Sequence, residues 1–341
     1  MGRIRWGVLG NASIAREGFI PAVLLSGNGV VHAIASRDLG TARELAGRFG
    51  IPRAYGSYDD LLDDPEVDAV YLPLPNSLHA PWALRCAQAG KPTLCEKPAA
   101  LSAGQARQMV DAFAARGLTF SENFVYRFHP QTRKVRALLD EGAVGRIRSL
   151  CASRSYVAND PSKIALDRTL GGGALMDVGC YCVNALRYFA GAEPDQCHAV
   201  ASWAETSGVD EALAGVLRFP GGVIGHFDCG MRTVYGNGYE IRGDRGRIVV
   251  DSGFDIPTST STTIHCWRDD ACEVIEIAPT NQFQHLVEDF AAALQERRPP
   301  LLPAEEAVCN MKVIDALYAS ARQAGQDIQG TFSVAAGFGA G

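Results

Sequence analysis

Along its first 121 residues the chain alternates between two apolar patterns. Short runs that are apolar at nearly every position (4–9, 30–35 and 67–72) are separated by longer stretches in which apolar residues recur every three or four positions. The first kind has the length of a strand buried on both faces, the second the period of a helix buried on one side. Helices are predicted over about 13–25, 39–49, 77–89 and 102–115, the last capped by Ser102. Gly50, Gly90 and Gly117 stand where three of them would stop. Two more short strands fall at 93–95 and 118–121. Strands and helices in this alternation build a parallel sheet covered on both faces.

Beyond residue 121 the pattern changes. One helix is predicted over 130–141, and Gly171-Gly172-Gly173 turns into another over 174–190. Strand-like runs then follow at 198–204, 212–219, 223–229, 239–250, 262–267 and 273–277, with no helix between them. Phe219-Pro220-Gly221-Gly222-Val223 is a hairpin turn by composition. Consecutive strands of this kind pair antiparallel. Phe283, Leu286, Val287, Phe290 and Leu294 return to helical spacing, as do Ala307, Val308, Met311, Ile314, Leu317 and Tyr318. Residues 331–341, small and rich in Gly and Ala, are expected to form a loose tail.

Composition narrows the class without deciding it. At 341 residues the chain has room for two domains of roughly 150 residues. The net charge of −6 and the lack of a basic run argue against nucleic acid or an anionic membrane as partner. No run of 18 apolar residues and no signal-like segment occurs, so a cytoplasmic protein is expected. Ten cysteines are scattered without a Cys-x-x-Cys pair, and seven histidines are dispersed, which points to reduced thiols and no metal site. His226 and His265 fall in predicted strands and are assigned structural roles.

The 36 glycines are the compositional excess, and one cluster carries chemistry. The first strand–helix turn is Gly7-Val8-Leu9-Gly10-Asn11-Ala12-Ser13-Ile14-Ala15. Gly10, Ala12 and Ala15 take the three small-residue places of a dinucleotide fingerprint, where a tight turn brings backbone N–H groups and a helix N-terminus to a pyrophosphate. Any tight strand–helix connection would use such residues. Their place between the first strand and first helix of an alternating domain is what points to a dinucleotide. The second strand ends in Ser36-Arg37 in place of the Asp or Glu that binds a ribose 2′-hydroxyl. A hydroxyl and a guanidinium suit a 2′-phosphate, so NADP(H) is expected over NAD, with Asp38 keeping NAD as the alternative.

Two further strand ends bear polar groups. One is Leu72-Pro73-Leu74-Pro75-Asn76-Ser77-Leu78-His79, a proline-stiffened loop in which Asn76 can cap the next helix. The other is Cys95-Glu96-Lys97-Pro98. The triple glycine leads into Ala174-Leu175-Met176-Asp177-Val178-Gly179-Cys180-Tyr181, where Asp177 and Tyr181 are spaced i, i+4 on one helical face. An Asp and a Tyr beside a Lys make a proton-transfer set.

With these motifs, and with Tyr126-Arg127-Phe128-His129-Pro130, the chain resembles the glucose–fructose oxidoreductase, inositol dehydrogenase and rhizopine-catabolism (Gfo/Idh/MocA) family over residues 4–325. The resemblance implies an α/β fold: an N-terminal NADP-binding Rossmann domain over 1–121, then a substrate-binding and dimerisation α/β domain with a large open, mostly antiparallel sheet over 122–330. It also implies a cis peptide before Pro98, and a homodimer or homotetramer built on a sheet face. It assigns Lys97, Asp177 and Tyr181 to catalysis. The cofactor residues it supports are Gly10, Asn11, Ala12, Ser13, Ile14, Ser36, Arg37, Leu72, Pro73, Leu74, Pro75, Asn76, His79, Glu96, Lys97 and Asn123. Tyr at 181, where many members have His, resembles the aldose (xylose) dehydrogenase, dimeric dihydrodiol dehydrogenase, glucose–fructose oxidoreductase and nucleotide-sugar 3-ketoreductase branches, which mostly use NADP. The implied substrate is a small carbohydrate, the implied reaction hydride transfer at a carbinol or carbonyl carbon. A 3-ketoreductase of a nucleotide-linked deoxysugar, a trans-dihydrodiol dehydrogenase and a non-catalytic NADP sensor are the alternatives. Two departures stand out. Relatives often have Glu-Ala-Phe where Glu122-Asn123-Phe124 stands here, and many carry a Trp-Arg or Ile-Arg pair upstream of the triple glycine. Here that segment is 163–168, which leaves open whether Arg168 takes the role, and the substrate loops 156–170 and 232–238 carry no readable code.

Overall fold

In the computed structural model, which describes residues 2–160, 162–269 and 271–327, the unbroken apolar runs become one sheet. β1 (Ile4–Leu9), β2 (Gly29–Ala35), β3 (Arg53–Tyr55), β4 (Ala69–Leu72), β5 (Thr93–Glu96) and β6 (Phe120–Asn123) lie in the order β3-β2-β1-β4-β5-β6. All pairs are parallel. β4, β5 and β6 are buried at every position, as strands covered on both faces must be. Around them run α1 (Ile20–Leu25), α2 (Leu39–Phe49), α3 (Tyr58–Leu62), α4 (Asn76–Gln88) and α5 (Ala103–Ala114). The side chain of Asp38 caps α2 by accepting from Thr41 N, and that of Ser102 caps α5 by accepting from Gln105 N. β3 and α3, of three and five residues, are too short to show a period and were not expected. The strand order reverses between β1 and β4, which opens a crevice at the carboxyl ends of these two strands.

The second sheet has eight strands: β7 (Ile147–Val157), β8 (Gln196–Trp203), β9 (Asp210–Phe219), β10 (Val223–Gly230), β11 (Arg232–Gly243), β12 (Gly246–Val250), β13 (Thr262–Arg268) and β14 (Ala271–Ile277). Their order is β14-β13-β12-β11-β7-β10-β9-β8, antiparallel except where β10 pairs with β7. Two expectations need correction. The run at 239–250 is two strands, because Asp244 and Arg245 turn the chain. β7, which no apolar run marks in the sequence, is a central strand.

Four more helices complete the fold: α6 (Pro130–Asp140), α7 (Cys180–Ala190), α8 (Gln282–Glu296) and α9 (Glu305–Asp327). α7 covers β7 and β10, while α9 spans from β8 to α5 and so joins the two sheets. α8 returns to the first sheet, where the ring of Phe290 lies 5.3 Å from that of Trp6. Trp6 meets Phe19 edge-on at 5.2 Å, and Phe19 stacks on Tyr71 at 3.8 Å. The far face of the second sheet is open, with Val200, Val216, Ile224 and His226 exposed at alternate positions. His226 is therefore a surface residue of that face. Among the described residues no helix is long and apolar enough to cross a membrane. The tail at 331–341 lies outside the described residues.

Candidate active site

The crevice holds two connected chambers, an inner one of about 350 Å³ and an outer one of about 580 Å³. Lys97, Arg154, Asp177 and Asp255 border both. Elements of both sheets thus frame one cavity.

The inner chamber takes its floor from the first sheet. Gly10 has φ +96°, and a Cβ there would come within 2.9 Å of Leu74 Cδ2, so the turn requires glycine. Ala12, Ser13, Ile14, Pro73, Leu74, Pro75, Asn76, Glu96, Lys97 and Asn123 line this chamber. Ala15 is buried at the start of a π-turn, Ala15–Phe19, that runs into α1. Asn11 is exposed beside the turn, its carbonyl accepting from Arg16 Nη1 at 2.8 Å. At the tip of β2, Ser36 is buried and Arg37 exposed. Arg37 lies close enough to the Tyr58 hydroxyl to work against the rise in its pKa that burial causes. That hydroxyl would lie 3.5 Å from a Cβ on Gly10, which puts Arg37 near the phosphate turn. Asp38 accepts from Thr41 N and Oγ1, both at 2.7 Å, so its carboxylate is committed to the cap.

Two expected cofactor contacts, Leu72 and His79, stand elsewhere. Leu72 is fully buried in β4 and serves the core. His79 is also fully buried: Nδ1 lies 2.9 Å from Pro98 O and Nε2 2.6 Å from Leu74 O. It ties the loop after β4 to the loop after β5, and burial pushes its pKa down to about 4. Asn76 does not cap α4, since Pro75 holds the N-cap position. Its Nδ2 instead donates to Gly171 O at 2.9 Å, across the crevice.

The catalytic candidates converge. Lys97 follows β5, and its peptide bond to Pro98 is cis. Its Nζ donates to Asp177 O at 2.7 Å, lies 3.6 Å from Asp177 Oδ1 and 5.0 Å from the ring centroid of Tyr181. Burial works against this ammonium, but Tyr181 and Asp177 together hold its pKa above the ordinary lysine value. Tyr181 is 7% exposed; burial raises its pKa, while Lys97 and Arg154 pull it down. Asp177 and Tyr181 do not lie on a regular α-turn. Residues Leu175–Gly179 form a π-turn, a feature that loosens the backbone ladder and that recurs at functional sites. Asp210, reaching over from β9, fixes its start: Oδ2 accepts from Leu175 N and Oδ1 from Tyr318, both at 2.7 Å. Gly173, at φ +126°, leaves room for that carboxylate.

Behind Lys97, Glu96 accepts from the Tyr71 hydroxyl at 2.6 Å and from Asn123 Nδ2. Glu122 points the other way, 1% exposed, and Oε1 accepts from Ala99 N at 2.8 Å. Its Oε2 is buried without a partner among the described residues. Burial first, and then the charge of Glu306, pushes its pKa up to about 8. A raised carboxyl pKa means that the folded state holds the proton more tightly. Its contribution to stability is full below the unfolded value and is lost as pH rises to about 8. Glu122→Gln has no proton to lose. Between pH 6 and 9 its melting temperature is expected to fall less than that of the wild type, by up to ~1.4 kcal/mol of stability per pH unit. Parallel Tm curves over that range would refute the assignment.

Arg154 on β7 and Asp255 on the loop after β12 have no signal of a site role in the sequence, and Tyr156, expected in a substrate loop, lies on β7. Arg154 Nη2 donates to Asp255 Oδ1 at 2.6 Å, and the Tyr156 hydroxyl donates to Asp177 Oδ2 at 2.7 Å. The alternation of Leu150, Ala152 and Arg154 is a signal of a buried face only. Arg168 does not reach the cavity; it is exposed against Gly208. The Tyr126–Pro130 motif is a brace: Tyr126 donates to Asn184 Oδ1 at 2.7 Å, and His129 caps α6 by accepting from Gln131 N at 3.1 Å. All ten cysteines are free; beside Lys97, burial pushes the Cys180 thiol up to about 12, so it is no nucleophile. Away from the crevice, His32, Asp64 and Glu66 meet, a cluster that the dispersed histidines did not foretell. Arg53 pairs with both carboxylates, and Tyr55 donates to Asp64 at 2.9 Å.

Comparison with known proteins bears on this site. Residues 4–124 match a family described as an oxidoreductase family with an NAD-binding Rossmann fold, and residues 132–249 match the GFO/IDH/MocA C-terminal domain. The chain is 37% identical over 317 residues to D-xylose 1-dehydrogenase (NADP(+)) 2 of Haloferax volcanii, covering 93% of this chain and 97% of that one. It is 37% identical over 247 residues to trans-1,2-dihydrobenzene-1,2-diol dehydrogenase of Mus musculus, covering 71% and 73%. A crystal structure of a 3-ketoreductase from Actinomadura kijaniata with NADP and TDP-benzene superposes with a TM-score of 0.89 at 34% identity, covering 94% and 98%.

Proposed function

The chain belongs to the Gfo/Idh/MocA family of oxidoreductases, and from that premise we propose that it is an NADP-dependent dehydrogenase of an uncharged, polyhydroxylated substrate, an aldose such as xylose or glucose. The observation that carries this reading is the meeting of Lys97 and Asp177, which border both chambers, with Tyr181, which lines the inner one. The outer chamber is polar and balanced in charge, with Lys97, Arg154 and Lys163 against Asp160, Asp177 and Asp255. A substrate rich in hydroxyls finds donors and acceptors there, whereas a diphosphate would call for a surplus of cations.

The inner chamber suits a dinucleotide. Gly10 permits close approach, and Asn123 Oδ1 is a buried acceptor with no partner among the described residues. Ala12, Ser13 and Ile14 would meet the pyrophosphate at the helix N-terminus, and Arg37 with Ser36 the 2′-phosphate. NADP, when bound, supplies or takes up the hydride. Tyr181 gives its hydroxyl proton to the carbonyl oxygen in reduction and removes it from the carbinol in oxidation. Lys97, held by Asp177 O, donates a hydrogen bond to the same oxygen, and Asp177 with Tyr156 orients the neighbouring hydroxyl. Because burial keeps the Tyr181 hydroxyl protonated at neutral pH, oxidation gains from rising pH and reduction does not.

A screen of pentoses and hexoses with NADP and NAD tests the reading. NADP is expected to be reduced faster, and Arg37→Ala to raise the KM for NADP by about tenfold or more with that for NAD little changed. Faster reduction of NAD would overturn the cofactor assignment. The likeness to the Actinomadura kijaniata enzyme favours a second reading, a 3-ketoreductase of a nucleotide-linked deoxysugar. Such an enzyme would leave every free sugar of the panel untouched.

A further inference from the structure

The roles above leave Arg154 without a function that explains its burial. It is 8% exposed, although a surface ion pair would need no burial at all. Its guanidinium carbon lies 3.7 Å from the ring centroid of Tyr181 and 5.6 Å from that of Phe254. Only Nη2 is paired, with Asp255, whereas Nη1 is buried with no partner among the described residues. The pair is therefore not the two-bond fork that would neutralise the cation fully. The backbone of Asp255 is itself held by the Asn237 side chain. Asn237 Oδ1 accepts from Phe254 N and Asp255 N, and its Nδ2 donates to Asp255 O, each at 3.0 Å.

We propose that Arg154, tethered by Asp255, is a positioning residue that sets the proton affinity of Tyr181. The inference rests on Tyr181 being the proton-transfer group. A cation against the face of a tyrosine ring favours the phenolate, whose ring carries far more negative charge than the phenol. Lys97, from the loop after β5, acts in the same sense. Glu96 at the end of β5 and Asp255 on the loop after β12 act against it. Asp177, on the same helical segment, is occupied by Lys97 and Tyr156. Phe124, Tyr126 and Phe254 close the remaining sides with neutral rings at 5.4, 6.1 and 5.8 Å. Arg154 and Asp255 thus pull the same proton in opposite directions.

Opposed signs make the test. Full-length protein labelled with 13Cζ-tyrosine is titrated by NMR, with the Tyr181 signal assigned by its loss in Tyr181→Phe. Relative to the wild type, Arg154→Met is expected to titrate at least half a unit higher and Asp255→Asn at least half a unit lower. A residue serving only the packing would shift both variants the same way or neither, and either result overturns the proposal. If Arg154→Met does not fold, Arg154→Gln takes its place with the same upward shift expected, and Arg154→Lys, which keeps the charge, is expected near the wild type. The kinetics of Tyr181→Phe separate the two claims. Near wild-type turnover of D-xylose with NADP would remove Tyr181 from the reaction, while an inactive Tyr181→Phe with three coincident titrations would remove only the role of Arg154.

Discussion

Tyr181→Phe is expected to lower kcat for aldose oxidation by about two to four orders of magnitude, some 3–5 kcal/mol of barrier. The variant removes one oxygen and no ring. Phe124, Tyr126 and Phe254 pack around that ring, and among the described residues the hydroxyl makes no hydrogen bond whose loss would leave a partner exposed. The fold should therefore be kept. The expected signature is a collapse of kcat with the dissociation constant for NADP and the melting temperature near those of the wild type. Turnover within tenfold of the wild type would mean that another group moves the proton.

Lys97→Ala should lose about two to three orders of magnitude, by a different route. In the proposed function its ammonium donates to the reacting oxygen, and it is also the partner of Asp177 O. Removing it takes away the donor and frees the π-turn, so a fall of a few degrees in melting temperature is expected beside the kinetic loss. Arginine should not rescue, since a planar fork cannot replace a point donor in this position. Because Lys97 is held above the usual lysine pKa, its charge does not change over the working range of pH. A pH profile that moved in Lys97→Ala only through Tyr181 would agree with this, and retained turnover would refute the assignment.

Much of the site was legible because its chemistry sits at strand ends. Strands buried on both faces announce themselves by unbroken apolar runs, and Gly10, Lys97 and Asp177 follow or face such ends. β7 was not legible for the opposite reason. Arg148, Ser149, Ser153, Arg154 and Ser155 dilute its apolar pattern, and the residue that matters most there is a charge on the buried face. Pattern reasoning assigns a charge to solvent, and the rings of Tyr181 and Phe254 with the carboxylate of Asp255 reverse that here. Asn76 and His79 show a second limit. Their local sequence offers a cap and a cofactor contact, but Gly171 and Pro98, distant in the chain, claim their side chains.

The π-turn over Leu175–Gly179 has a consequence for protein engineering. Its turn holds more residues than an α-turn, so Asp177 and Tyr181 are separated by an angle that four residues of ordinary helix do not give. Grafting an Asp and a Tyr at that spacing onto a straight scaffold helix would misplace one of them. The transplantable unit is larger: the segment from Gly173 through α7, with a β9 carboxylate in the place of Asp210 to seize Leu175 N and start the wide turn.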